Sequence, residues 1–117
     1  MLRIGVVKVL DPDTEGAVRS FLARIPPTLP VQLAILYGSR ARGEATDDSD
    51  ADLALIVEQG AEDWRLLGDL AELAYDVFLD TGVLIQPVTI SADHWRHPEH
   101  FPRPGFLRNV ARDGIIL

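Results

Sequence analysis

The sequence predicts an α/β fold, in which a small mixed β-sheet has helices packed on one face. Two apolar runs of strand length, residues 31–37 and 51–57, have the composition of strands buried on both faces. Apolar residues at helical spacing follow over residues 61–80, and a third apolar run follows over residues 83–90. Strands and helices in this order predict at least three strands, with helices that cover one face.

The chain before the first apolar run predicts a helix that begins at Pro12. Asp11 can cap its first turn, and proline suits the first helical position. The apolar stripe of this helix comprises Val18, Phe21, Leu22 and Ile25, and Pro26, Pro27 and Pro30 end it. Residues 3–10, which are apolar and β-branched, predict a short strand or an extended arm.

The remaining elements follow in order. Residues 31–37 are expected to form a central strand, because the run is mostly apolar, as suits burial on both faces, and Pro30 and Gly38 bound it. The helix over residues 61–80 is predicted to turn one face inward, made of Trp64, Leu67, Leu70, Ala71, Ala74, Val77 and Phe78. Pro87 predicts an edge position or a bulge for the third strand. The tail predicts a short helical turn from Ser91 and a last helix over residues 104–114, with Phe106, Leu107 and Val110 inward.

Composition limits the classes of function. A chain of 117 residues is long enough for one compact domain, so we expect a single domain over residues 1–117. A formal net charge of -7 disfavours a broad nucleic-acid-binding face. The absence of cysteine excludes disulfides and thiolate metal sites, and no apolar run has the length of a membrane span. We therefore expect a cytoplasmic protein.

The polar segment between the first two strands contains the residues with chemical potential. Gly38 and Ser39 end a buried strand where backbone can approach a ligand closely, and the hydroxyl and free N–H groups there suit a phosphate. Arg40 and Arg42 add cationic donors; their alternative is a surface role that balances nearby acids. Asp50 and Asp52 are spaced by two, which places both carboxylates on one face of a strand.

Two adjacent carboxylates beside an apolar strand repel each other and lose hydration, unless a cation lies between them. Mg²⁺ takes oxygen ligands, usually one or two carboxylates together with water and substrate phosphates. The residues therefore predict a phosphate-binding turn opposite a metal-binding acid pair, Asp50 and Asp52.

Gly38-Ser39, ten further residues and Asp50-Ala51-Asp52 together resemble the signature of the DNA polymerase beta-like nucleotidyltransferase superfamily. The segments 37–43 and 49–54 are similar to the minimal nucleotidyltransferases (MNT) of prokaryotes, and the likeness extends over residues 31–90. The resemblance implies a nucleotidyltransferase fold and transfer of a nucleoside monophosphate from a triphosphate, most simply ATP, to a hydroxyl. It implies Mg²⁺ on Asp50 and Asp52, and the triphosphate near Gly38, Ser39, Arg40 and Arg42.

The match has one departure, on the third strand. The superfamily usually has a third carboxylate there, whereas this strand has Gln86 as its polar candidate, and an amide neither neutralises a metal nor accepts a proton. Proteins of this group often act as antitoxins of small helical HEPN-type toxins. The sequence thus leaves three readings open: a nucleotidyltransferase, a protein that acts by binding a HEPN-type partner, and a nucleotide-sensing subunit. The acceptor and the oligomeric state also stay open.

Overall fold

A computed structural model describes residues 10–29 and 31–117 of the chain. Its elements are α1 (Pro12–Arg24), β1 (Val31–Tyr37), α2 (Ser39–Arg42), β2 (Ala51–Val57), α3 (Trp64–Thr81), β3 (Ile85–Ser91), α4 (Ala92–Arg96), a 3₁₀ turn (Pro98–His100), α5 (Pro104–Asp113) and β4 (Ile115–Ile116). The predicted strand or arm over residues 3–10 lies, except for Leu10, outside the described residues. Within the described part of the chain, no helix has both the length and the apolar character needed to cross a bilayer.

The four strands form one mixed sheet in the order β3-β2-β1-β4. β1 pairs antiparallel with β2 and with β4, whereas β2 pairs parallel with β3. Helix α3 makes the crossover that a parallel pair requires. The predicted α/β fold is confirmed, with β1 central and the proline-containing β3 at an edge.

The two faces of the sheet are covered by different helices. Side chains of one parity, such as Leu36 and Leu53, pack with α1 and α3. Side chains of the other parity, such as Ile35 and Ala54, pack with α4 and α5. Helices α1 and α3 share one face as predicted, and the structure adds a second helical layer on the opposite face. This second layer determines what lies above the acid pair.

The prediction for the inward face of α3 was wrong in part. Leu70, Ala74 and Val77 are buried against the sheet. Trp64, Leu67 and Phe78 are instead exposed large apolar residues. The apolar sector of this helix is wider than the surface that the sheet and α1 offer, so its outer part stays exposed among the described residues.

Helix α1 is anchored at its start by Asp11. The Asp11 carboxylate accepts from the backbone N–H of Thr14 at 2.9 Å and from the Thr14 hydroxyl at 2.7 Å. These hydrogen bonds, foremost the one from the hydroxyl, lower the pKa of Asp11. The predicted cap is thus present, and it fixes the end of α1 that lies nearest α2.

Candidate functional site

The candidate site lies where the end of β1 meets the start of β2. Because these strands are antiparallel, Tyr37 pairs with Asp52 in register, and on the other side of β2 Asp52 pairs with Gln86 of β3. The three residues form a row across the sheet on the face that α4 and α5 cover. The 13-residue connection over residues 38–50 returns the chain to this row after the short helix α2.

Gly38 has a backbone conformation that requires glycine. Its φ of 78° and ψ of -158° lie in a region that residues with a side chain almost never occupy. A Cβ at this position would overlap Oδ2 of Asp52 and would lie 3.2 Å from its Cγ. The absence of a side chain therefore lets the Asp52 carboxylate lie directly against the backbone of the turn, before Ser39 begins α2.

The acid pair carries an electrostatic conflict. Asp52 is half-buried, and loss of hydration, followed by repulsion from Asp50, raises its pKa above the ordinary value, while Arg42 opposes this rise. Burial, together with the negative charge of Asp52, also raises the pKa of Tyr37 to about 12. Ionised Asp52 is thus under-compensated by the protein itself, which is the condition that a bound cation would relieve.

Gln86 contacts the acid pair directly. Its Nε2 donates to Oδ2 of Asp50 at 3.1 Å. The amide therefore occupies the strand position that faces Asp52 and orients the exposed carboxylate of Asp50. A carboxylate in this place would add a third negative charge, whereas the amide satisfies one oxygen of Asp50 without adding charge.

A charged cluster forms the opposite wall of the site. Arg42 donates to Glu44 at 3.0 Å and to Asp113, at the end of α5, at 3.1 Å. Arg112 also donates to Asp113, at 3.1 Å, and these hydrogen bonds, that of Arg112 foremost, lower the pKa of Asp113. Asp113 stays ionised and holds two guanidinium groups beside the Gly-Ser turn.

A cleft of about 420 Å³ lies between the turn and α5. Four residues that the sequence predicts as site residues line it: Gly38, Ser39, Arg42 and Asp52. The other lining residues were not predicted as site residues: Tyr37, Phe106, Asn109, Arg112 and Asp113. The four from α5 share a signal, since spacings of three, three and one along a helix place them on neighbouring faces. The sequence could show that face, but it could not show that the face lies above Asp52.

Arg40 occupies a different place from the one expected. It is buried, with 7% exposure, and it does not line the cleft. Its Nε donates to the Ser49 carbonyl at 2.8 Å, and its Nη1 donates to the Thr14 hydroxyl at 2.8 Å. The Thr14 hydroxyl in turn donates to Asp11. Arg40 thus ties the loop before Asp50 to the start of α1, so the structure gives it the role of a positioning residue for the acid pair.

The donor set fits a hard divalent cation that also binds phosphate. Asp50 and Asp52 supply carboxylate oxygens of unequal burial, and the turn opposite supplies a hydroxyl and the first N–H groups of α2, which have no partner within the helix. Over residues 10–29 and 31–117, no group of three or more histidine, aspartate or glutamate side chains is arranged to hold a metal. Two carboxylates that share Mg²⁺ with substrate phosphates match this composition.

Comparison with known proteins identifies a matching family. The family described as "Polymerase beta, Nucleotidyltransferase" matches residues 24–93, which is more than half of the chain. A crystal structure of a candidate nucleotidyltransferase from Sulfolobus solfataricus matches with a TM-score of 0.42 and 16% identity, over 96% of this chain and 90% of that one. No curated protein sequence matches the chain.

Proposed function

Because the chain belongs to the polymerase beta nucleotidyltransferase family, we propose that it transfers a nucleoside monophosphate from a nucleoside triphosphate, in the presence of Mg²⁺, to a hydroxyl on a protein or an RNA. The observation that carries the proposal is the contact between Asp52 and the glycine of the Gly-Ser turn. This contact brings the under-compensated carboxylate of the pair against the backbone that would hold the phosphates.

In this proposal Asp50 and Asp52 hold the magnesium ion. When bound, the ion neutralises negative charge that develops on the phosphoryl oxygens during transfer. Asp52 needs this partner most, since its pKa is raised by burial and by Asp50. Gln86 keeps Asp50 turned toward the sheet by donating to its Oδ2.

The triphosphate lies at the charged end of the cleft. The Ser39 hydroxyl and the first N–H groups of α2 donate to phosphate oxygens, and Arg42 supplies positive charge. Arg42 is now paired with Glu44 and Asp113, and its own side chain is 38% exposed. Exchange of the exposed partner, Glu44, for phosphate costs little, because exposed ion pairs contribute about 0–1 kcal/mol.

The nucleoside lies at the aromatic end of the cleft. Phe106 contacts Tyr37 edge to face, with ring centroids 5.7 Å apart, and Asn109 follows on the next turn of α5. Phe106 and Asp113 are seven residues apart on one helix, or about 10 Å along its axis. A nucleotide has the same division between a flat aromatic base and a polyanion. We assign the base to Phe106 and its polar edge to the Asn109 amide.

The reaction joins the acceptor oxygen to the α-phosphorus and breaks the bond from that phosphorus to the bridging oxygen of pyrophosphate. The proton of the hydroxyl leaves to solvent. Within the described residues, β3 supplies no carboxylate for this proton, and the amide of Gln86 cannot accept it. The protein therefore contributes by positioning and by neutralising charge rather than by general base catalysis.

The proposal is tested by incubating the protein with Mg²⁺, α-labelled ATP and candidate acceptors. We expect the label to move to an acceptor protein or RNA, and Asp52→Asn to reduce the transfer at least about a hundredfold. Asp48→Asn is the matched control, because Asp48 is an exposed acid of the same loop that does not line the cleft. Equal transfer by Asp52→Asn and wild type would refute the assignment.

The base position has its own test. We expect Asn109→Leu to weaken ATP binding about tenfold and to leave the affinity for inorganic tripolyphosphate unchanged, because only the base loses a partner. Arg108→Leu, an exposed change on the same helix outside the cleft, is the control. Loss of tripolyphosphate binding in Asn109→Leu would place the phosphates, not the base, near this residue.

A second candidate function is supported by Gln86. With an amide in place of the third carboxylate, the residues of the site suit binding of Mg²⁺ and nucleotide better than catalysis of transfer. The protein would then neutralise a HEPN-type toxin by association alone. If wild type binds Mg²⁺ and ATP but labels no acceptor, including a toxin encoded beside it, association is the function. Neutralisation that persists in Asp52→Asn would support the same conclusion.

A further inference from the structure

Helix α3 presents an apolar surface that nothing in the described chain covers. Its members recur at helical spacing, and their side chains are between 39% and 74% exposed: Trp64, Leu67, Tyr75, Phe78 and Leu79. We call this surface the α3 stripe. Its exposed area is on the order of 500 Å², and the largest apolar patch of a monomer, which has about this size, is often functional.

The stripe is bordered on one flank by acids. Asp69, Glu72 and Asp76 are exposed, and no salt bridge between described residues involves them. The one cation of this flank, Arg65, lies over the ring of Trp64, 5.3 Å from its centroid. The surface therefore combines an apolar ridge with uncompensated negative charge.

We propose that the α3 stripe binds an amphipathic helix of another protein, whose apolar face is flanked by lysine or arginine. A helix is the fitting occupant because the exposed apolar residues follow one ridge over almost the whole 18-residue length of α3. Basic side chains are required on one flank because they would meet Asp69, Glu72 and Asp76. Apolar burial would supply affinity, and the charges would select the partner and its orientation.

Charge also argues against a second copy of this chain as the occupant. In an antiparallel pair of α3 helices, Trp64 would meet Phe78 and Leu67 would meet Tyr75. The two-fold axis would then bring the acidic flanks of both copies to the same side of the contact. Each copy already carries a formal charge of -7. A basic partner would bring opposite charge to the acidic flank, whereas a second copy would bring like charge.

The α3 stripe is separate from the nucleotide cleft. Helix α3 covers the face of the sheet opposite to the one that α5 covers. Binding at the stripe is therefore measured without Mg²⁺ or nucleotide, and Asp52→Asn is expected to leave it unchanged. Failure of nucleotidyl transfer and failure of helix binding are thus separate results.

The experiment uses a fluorescent 18-residue synthetic helix with leucine on one face and lysine on the flank, titrated with the full-length protein. Two further peptides serve as probes: one replaces each lysine by glutamate, and one replaces each leucine by serine. We expect the first peptide to bind saturably, and at least about tenfold more tightly than either of the other two peptides.

Variants locate the binding surface. Tyr75→Glu, which adds a charge to the exposed stripe, and Asp76→Lys are each expected to weaken the lysine peptide about tenfold or more. Glu99→Lys is the control, because it makes the same change in net charge at an exposed residue outside α3. Joint reversal of Asp69 and Asp76 to lysine is expected to switch the preference to the glutamate peptide.

Three results would overturn the proposal. Equal binding of the two lysine-containing peptides, with leucine or with serine on the apolar face, or equal effects of Asp76→Lys and Glu99→Lys, would show attraction to the overall negative charge alone. A stable dimer of the wild-type chain in light scattering at micromolar concentration, lost in Tyr75→Glu, would assign the stripe to a second copy.

Discussion

Replacement of Gly38 by alanine tests the contact on which the site depends. A residue with a side chain at φ 78° and ψ -158° costs about 1–3 kcal/mol. The new Cβ would also displace the Asp52 carboxylate, since it would overlap Oδ2 and lie 3.2 Å from Cγ of that residue. A displaced rotamer adds roughly 1 kcal/mol. We expect Gly38→Ala to lower the free energy of unfolding by about 2–4 kcal/mol and to abolish binding of Mg²⁺ with nucleotide.

Gly43 provides the matched control at the other end of α2. Its φ is also positive, at 75°, but its ψ of 19° is ordinary left-handed helix, and nothing lies within 4 Å of an added Cβ. Gly43→Ala should cost only about 1–2 kcal/mol and should leave binding intact. Urea unfolding gives the stability, and calorimetric titration with Mg²⁺ and a non-hydrolysable triphosphate gives the binding. If Gly38→Ala binds as wild type does, or if both variants lose binding alike, the reasoning about Asp52 is refuted.

Three further outcomes are expected. Because the pKa of Asp52 is raised in the folded state, its ionisation lowers stability as the pH rises from below 3.8 through the folded-state value. Asp52→Asn should therefore have a higher melting temperature than metal-free wild type at pH 7 and the same one at pH 3. A difference in melting temperature that does not change with pH would contradict this. Arg40→Met should lower the free energy of unfolding in urea by roughly 3 kcal/mol, because the Thr14 hydroxyl and the loop carbonyls lose a charged donor. An unchanged urea midpoint of unfolding would exclude the positioning role. Without metal, Gln86→Glu should lower the free energy of unfolding by about 0.5 kcal/mol, an amount typical of exposed like charges. Added Mg²⁺ should raise the melting temperature of this variant more than that of wild type. An equal response to Mg²⁺ would show that the Gln86 position does not face the metal.

The sheet could be predicted closely because its strands are self-contained signals. β1 and β2 begin and end where expected, since each is a continuous apolar run bounded by residues that disfavour strand, such as Gly38 and Gly60. The acid spacing at Asp50 and Asp52 follows from the two-residue period of a strand. These are local properties, and local sequence determines them.

The surroundings of the site could not be predicted, because they depend on tertiary contacts between distant segments. Phe106 and Asn109 lie far along the chain from the Gly-Ser turn, and only the addition of α5 to the second face brings them above Asp52. Helix α5 carries its own periodicity, but periodicity does not say which face of a sheet a helix covers. The burial of Arg40 could not be predicted for the same reason, since its partner Thr14 lies on α1.

The outward face of α3 has a different cause. A wide apolar sector on a helix is read as core when only the chain itself is considered, because burial is the usual fate of Trp64 and Phe78. Burial within the chain is limited by the area that the sheet and α1 offer, and Leu70, Ala74 and Val77 already fill it. Apolar surface in excess of that area is information about another molecule, which the sequence of one protein cannot identify.

The cleft joins three features that each lower stability: a glycine-only backbone conformation at Gly38, a half-buried carboxylate at Asp52 and a like charge beside it at Asp50. Any one of them has ordinary structural explanations. Their meeting at one strand end does not, because a sequence that needed only to fold could relieve the burial and the repulsion with an uncharged residue in place of Asp52. Gln86 adds no third negative charge to this pair, since the amide opposite Asp52 donates a hydrogen bond to Asp50. The retained conflict is therefore confined to the two carboxylates that a single divalent cation can satisfy.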